Sequence, residues 1–172
     1  MNVGRLRLWM RTEIITTFEG TIGRLRYSTP MKPSAESTTP SSWIKSFVEE
    51  HGGSAGTVHK RDGEGEVLKL WASVNIPPKV QELTATIGKG KGMAGLAWER
   101  GKPVQTCNLQ TDTSGDVRPG AKSVGAKAAV AIPIYQDQEF WGVVGIAFSH
   151  ERELADSVLQ SLTEAAHAVV DL

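Results

Sequence analysis

The chain is poor in cysteine, has no surplus of charge of either sign, carries few aromatics and contains no long apolar run. Its single cysteine, Cys107, rules out an internal disulfide framework, and no Cys/His zinc pattern can be written with it. The four histidines, His51, His59, His150 and His167, have no metal-ligand spacing among themselves. Lys and Arg together number 19, as do Asp and Glu, so the formal net charge is zero. A balanced chain offers no basic field to neutralise a phosphate backbone, and no nucleic-acid partner is expected. No run approaches the about 18 apolar residues of a membrane-crossing helix, so no membrane span is expected. A lone thiol suits a reducing compartment, and the expected location is the cytoplasm. Walker and kinase lysine motifs are missing as well: Val130-Ala131-Ile132 runs into Pro133 rather than Lys.

What remains is a chain of 172 residues, 40% apolar, enough for one domain with a real core and a tail. The tail is expected at the front. Met1 to Tyr27 is basic but lacks the apolar stretch of a secretory signal. It reads as a disordered leader, in preference to a basic arm for a partner or membrane, with translation from upstream of a start at Met31 as its origin. Pro30 to Ser42 is rich in Pro, Ser and Thr and reads as a linker. Leader and linker together span residues 1–42, and the folded domain 43–172.

Within that domain, Ser41 or Ser42 is placed to cap a helix reaching about His51, stopped by Gly52-Gly53. Ser54–Arg61 and Glu66–Val74 read as strands joined through Asp62-Gly63-Glu64-Gly65, with D-G as the hairpin signal. In the second of them Leu68, Leu70, Ala72 and Val74 are expected on one face. Asn75-Ile76-Pro77-Pro78 breaks the strand, and Leu83–Ile87 reads as another. Met93–Arg100 gives about two helical turns before Gly101, and Pro103–Cys107 a short strand. Lys127–Tyr135 and Phe140–Phe148 are two long apolar strands joined by Gln136-Asp137-Gln138-Glu139. Trp141, Val143, Gly145 and Ala147 are expected on one face of the latter. Pro133, lacking a donor, predicts a bulge or break nearby. From Glu151 to Leu172 the apolar period is helical, with Leu154, Val158, Leu162, Ala165 and Val169 as its stripe, widened by Leu159, Ala166 and Val170. The sum is an α+β fold with a mostly antiparallel sheet, its first and last helices on one face and the middle helix and long loop on the other.

Gly90, Gly92 and Gly95 match G-x-G-x-x-G. A dinucleotide site also needs a full crossover helix and an acid ending the next strand, whereas here the helix is short and the strand ends in Asn108. The expected role of these glycines is a tight turn and a close approach of helix to sheet.

The series I-G-K-G-K-G-M-A-G-L-A-W (87–98), G-K-P-V (101–104), A-K-A-A-V-A-I-P-I (126–134) and W-G-V-V-G-I (141–146) resembles a GAF domain over about Trp43 to Leu172. The resemblance implies a PAS-related sheet of about six strands, with a ligand cleft between the sheet and the segment Asn108 to Gly125. It implies a small-molecule-binding sensor or regulatory domain that acts through a partner protein or a dimer, the terminal helices offering a homodimer bundle. The ligand and cofactor are unknown. The cyclic-nucleotide signature of one subfamily is missing after the second hairpin. Cys107 precedes Asn108 rather than His, unlike bilin-binding members. The alternatives are a thiol-dependent redox enzyme related to free-methionine sulfoxide reductase and an interaction module without ligand; a single cysteine disfavours the former.

The candidate cleft set is Trp71, Trp98, Cys107, Asp116, Arg118, Ser123, Lys127 and Trp141. The tryptophans could stack on a ligand ring or simply pack the core. Cys107 reads as a nucleophile or as a small apolar side chain. Arg118, Lys122 or Lys127 could meet an anionic group, since a long loop without structure of its own is often functional. The two lysines of Gly88-Lys89-Gly90-Lys91-Gly92 could favour an anion at a helix start or lie solvated on the turn. No catalytic residue and no metal ligand is assigned.

Overall fold

The computed structural model describes residues 38–63, 65–109 and 125–172. Of the leader and linker expected over residues 1–42, residues 1–37 lie outside them, while Pro40–Ser42 belong to the first helix.

The first helix, α1, spans Pro40–Glu50. Its cap is Thr39, two residues before the first of the serines expected there. Pro40 takes the first helical position, where a missing N–H costs nothing. The Thr39 hydroxyl accepts from the Ser42 N–H, and the Ser42 hydroxyl accepts from the Thr39 N–H in return, closing a capping box. Strand β1 (Ala55–Arg61) pairs antiparallel with β2 (Val67–Val74) across the expected turn.

A helix not anticipated from the sequence follows. The Pro77-Pro78 pair that ends β2 also starts α2, Pro78–Thr84, because proline is pre-set for a first helical turn. The strand expected over Leu83–Ile87 is therefore shortened to β3, Thr86–Gly88. Next come α3 (Gly92–Arg100), stopped by Gly101 in the left-handed region, and β4 (Val104–Thr106). The long hairpin is β5 (Ala128–Gln136) and β6 (Glu139–Phe148). Its two-residue turn, Asp137-Gln138, has positive φ at both positions, the geometry that matches strand twist.

The last helix is shorter than its apolar period suggests. Glu151–Ala155 is non-helical, α4 runs Asp156–Ala166, and a 3-10 turn covers His167–Asp171. The buried side of this region is Leu154, Leu162, Ala166 and Val169, while Val158 is 38% exposed.

Six strands form one sheet in the order β3-β2-β1-β6-β5-β4, every neighbouring pair antiparallel. The terminal helices α1 and α4 cover one face as expected. There Ile44, Phe47 and Val48 pack with Leu162, Ala166 and Val169 over Val58, Ile132, Val144 and Ile146. Helix α3 covers the other face, with Ala97 and Trp98 against Leu68, Ala131 and Val143.

Two bulges correct the expected strand faces. Between Val58 and His59 the register on β2 skips Trp71, and between Ile134 and Tyr135 the register on β6 skips Trp141. An extra residue reverses alternation beyond it. Leu68 and Ala72, expected on one face, therefore lie in opposite clusters, and Trp141 joins the α1/α4 side rather than that of Val143. Pro133 itself pairs regularly with Val143, past the end of β4 opposite Ala131. The break lies just after it.

Candidate functional site

On the α3 side, the middle of the sheet is made of small residues. Register places Ala55, Ala147 and Ala129 in one row across β1, β6 and β5, and Thr57, Gly145 and Ala131 in the next. A third row, His59, Val143 and Pro133, closes the floor. The smallness is required at Gly145, where an added Cβ would come within 2.8 Å of the Thr57 hydroxyl oxygen.

Small floor residues leave space beneath the covering elements, and the result is an apolar cleft of about 150 Å³. Val80 and Thr84 of α2 wall it on one side, with Ile76 before them. Ile87, Met93 and Ala94 wall it on the next. Leu109 and Ala126 complete it. The last two lie together because the Leu109 N–H donates to the Lys127 carbonyl, while the Lys127 N–H donates to the Phe148 carbonyl. Residues 110–124, between them, are outside the described residues. Helix α3 reaches its place because Gly95 has no side chain: any Cβ there would collide with the Gly88 carbonyl. The G-x-G-x-x-G glycines thus serve turn and packing. Strands β3 and β4, on either side of α3, lie at opposite edges of an antiparallel sheet, which is not a dinucleotide crossover.

His59 is the only titratable side chain among the described residues that line the cleft. It is 3% exposed. Its Nε2 lies 3.0 Å from the Thr84 carbonyl oxygen, tying β1 to the end of α2. A carbonyl only accepts, so Nε2 carries the proton. Burial lowers the pKa of the ring below the ordinary value of 6.5, against a smaller upward pull from the Thr84 carbonyl, and the ring is neutral. Nδ1 is then a bare acceptor, buried and without a partner. No Asp, Glu, Lys, Arg or Cys of the described residues lines the cleft.

Of the residues singled out from sequence, the described ones stand elsewhere. Trp98 is 8% exposed and stacks on Phe140, their ring centroids 4.7 Å apart. The Lys89 ammonium lies 5.6 Å from its ring centroid and the Arg61 guanidinium 5.8 Å. Trp71 and Trp141, the two bulged residues, meet edge to face at 5.5 Å on the opposite side of the sheet, with the Lys60 ammonium 5.0 and 5.1 Å from their centroids. Cys107 and Lys127 are exposed. None of these five lines the cleft, and only Trp71 and Trp141 are brought together. Asp116, Arg118 and Ser123 fall outside the described residues. Sequence reasoning passed over Ala55, Thr57, His59, Ala129, Gly145 and Ala147. Their signal was present: a period of two that sets small residues and one histidine on a common face of three strands.

The family model for the GAF domain matches residues 44–171. Among solved structures, the GAF domain of a phosphoenolpyruvate-protein phosphotransferase from Coxiella burnetii is similar at 21% identity and a TM-score of 0.59, covering 74% of this chain and 76% of that one. The GAF region of a membrane protein from Geobacter sulfurreducens matches at 15% identity and a TM-score of 0.62, over 74% and 85%. The type II free methionine-R-sulfoxide reductase from Thermoplasma acidophilum matches at 15% and 0.61, over 74% and 84%. No curated protein matches the chain. At these identities the solved structures share the fold alone. The family model spans most of the chain and accords with the sheet order and the helices on its two faces: the chain belongs to the GAF domain family.

Proposed function

We propose that this domain is a small-molecule-binding regulatory module whose ligand enters the cleft over β1, β6 and β5. One observation carries the reading. Two adjacent rows of three small residues under α2 and α3 hold open an apolar cavity where an ordinary core would be filled. Concave apolar sites with few polar groups are the usual form of small-ligand sites. Output then passes through the elements around the cleft to a partner protein or a second copy of the chain.

The redox-enzyme reading has less support. Its only thiol, Cys107, is exposed and is not among the cleft-lining residues. Among the described residues no hydrogen bond joins its thiol to a His, Asp or Glu.

Ala147→Leu tests the proposal, because Ala147 is the middle of its row and a leucine there fills the cleft. Native mass spectrometry of the untagged protein from cells is expected to show a mass excess that disappears on denaturation, and Ala147→Leu, folded by circular dichroism, is expected to lack it. An excess retained by the variant would place the ligand elsewhere.

A further inference from the structure

The two bulges bring together a group of residues on the face away from the cleft. Trp71 of β2 and Trp141 of β6 are the residues that the register skips. A bulge leaves its extra residue out of the ladder and re-aims its side chain. Here two bulges in separate strand pairs aim two tryptophans at one spot, where the rings meet edge to face at 5.5 Å. Burial does not account for both. Trp141 packs half-buried against the α1/α4 core, while Trp71 is 36% exposed.

Strand β1 runs between them, and its Lys60 lays an ammonium 5.0 Å from one ring centroid and 5.1 Å from the other. Both distances are within the about 6 Å reach of a cation–π contact. Among the described residues no carboxylate pairs with Lys60: Asp62 holds Lys69 at 2.7 Å. The aromatic faces, not a counter-ion, receive this ammonium. Asp137 and Glu139 line a depression with Trp141 and add negative charge on that side. Two indoles set edge to face with an ammonium against both are half of an aromatic cage, and Lys60 stands where a cationic ligand sits. Lys60 is itself exposed, and a primary ammonium is strongly hydrated, so its own hold on the rings is weak. A free primary amine gains no more from the rings and must displace a tethered one, whose effective concentration is on the order of millimolar. A quaternary ammonium has no N–H to satisfy, presents only methyl and methylene groups to the ring faces, and is the cation that aromatic cages characteristically take.

We infer that Trp71 and Trp141 form a site for the quaternary ammonium group of a small molecule, which Lys60 occupies in the ligand-free chain and vacates on binding. The site lies across the sheet from the cleft and does not depend on the cleft being a ligand site.

Nitrogen-15 NMR of the full chain, read at the indole N–H resonances and at constant ionic strength, tests the site with three probes. Choline is expected to move the resonances of Trp71 and Trp141 to saturation and to leave those of Trp43 and Trp98 still. Ethanolamine, its primary-ammonium counterpart, is expected to bind more weakly. So is the uncharged isostere of choline with carbon in place of nitrogen, by about two- to fivefold or more, the worth of an exposed cation–π contact. In Lys60→Ala the tethered competitor is gone, and choline is expected to bind about two- to fivefold more tightly. Lys69→Ala removes the same charge without emptying the rings and is expected to tighten binding less. Trp71→Leu is expected to abolish the response of Trp141. Unmoved Trp71 and Trp141 resonances would overturn the site, as would ethanolamine or the isostere binding as well as choline. Equal tightening in Lys60→Ala and Lys69→Ala would reduce the effect to general electrostatics and overturn it too, and so would a Trp141 response that survives in Trp71→Leu. Should Trp71→Leu not fold, the comparison of choline with its isostere in the unaltered protein decides.

Discussion

At the scale of residues, His59 makes folding stability depend on pH. Its pKa is lowered in the native state, chiefly by burial. Above about pH 6.5 the ring is neutral in both folded and unfolded chains and adds no pH dependence. As pH falls through that value, the unfolded chain binds a proton that the native chain refuses. Stability therefore drops until the lower native pKa is reached, then levels. The loss in urea midpoint between about pH 7.5 and about pH 5.5 is expected to be larger in the unaltered protein than in His59→Leu. Equal losses would mean that the ring titrates normally. Of the individual residues, the tryptophans drew attention in the sequence for their size, yet size marks packing as readily as binding. Trp98 sits in a core stack, and Trp71 and Trp141 flank Lys60 on the face away from the cleft. Alanines and a glycine floor the cleft, and small residues are inconspicuous because what they contribute is the space they leave.

At the scale of elements, local chemistry fixed most boundaries and long-range register fixed the rest. The α1 cap is a case of the former. Thr39→Ala removes the acceptor for the Ser42 N–H and is expected to cost about 1 kcal/mol, read from urea unfolding. A change within about 0.3 kcal/mol would mean that Pro40 and the packing of Phe47 hold the helix start without it. Five of the six strands, the middle helix and the long hairpin were legible from turn residues and apolar period, while β3 is shorter and later than expected. Helix α2 was not, because Pro77-Pro78 reads equally as a strand breaker and as a helix start, and the helix is only seven residues long. The bulges were invisible for a different reason. A skipped residue is a property of two strands together, and Trp71 looks like any other aromatic in an alternating run until it is laid beside Val58 and His59. Since the faces beyond a bulge are reversed, the cleft side of β6 could be read correctly only from Val143 onward.

At the scale of the whole molecule, the sheet divides the domain into a packed side and a side that holds a cavity. The packed side buries Ile44, Phe47 and Val48 of α1 and Leu162 and Ala166 of α4 against the sheet, and Val158 is the large apolar side chain left exposed on α4. No helix of the described residues is long and apolar enough to cross a membrane. That two helices would cover one face and a third the other was legible from the order of elements, since each amphipathic helix must lie against a sheet. That one side would stay partly empty was not, because a cavity depends on side chains from six separate segments meeting.

The most direct test of that cavity is carbon-13 methyl NMR of alanine-labelled protein under xenon, a probe that enters dry apolar cavities of this size. The methyls of Ala55, Ala129 and Ala147 are expected to shift and saturate with xenon pressure, while those of Ala72 and Ala166, packed under the terminal helices, stay still. If the three cleft methyls move no more than Ala72 and Ala166, the floor of small residues is covered, and the domain has no open site there.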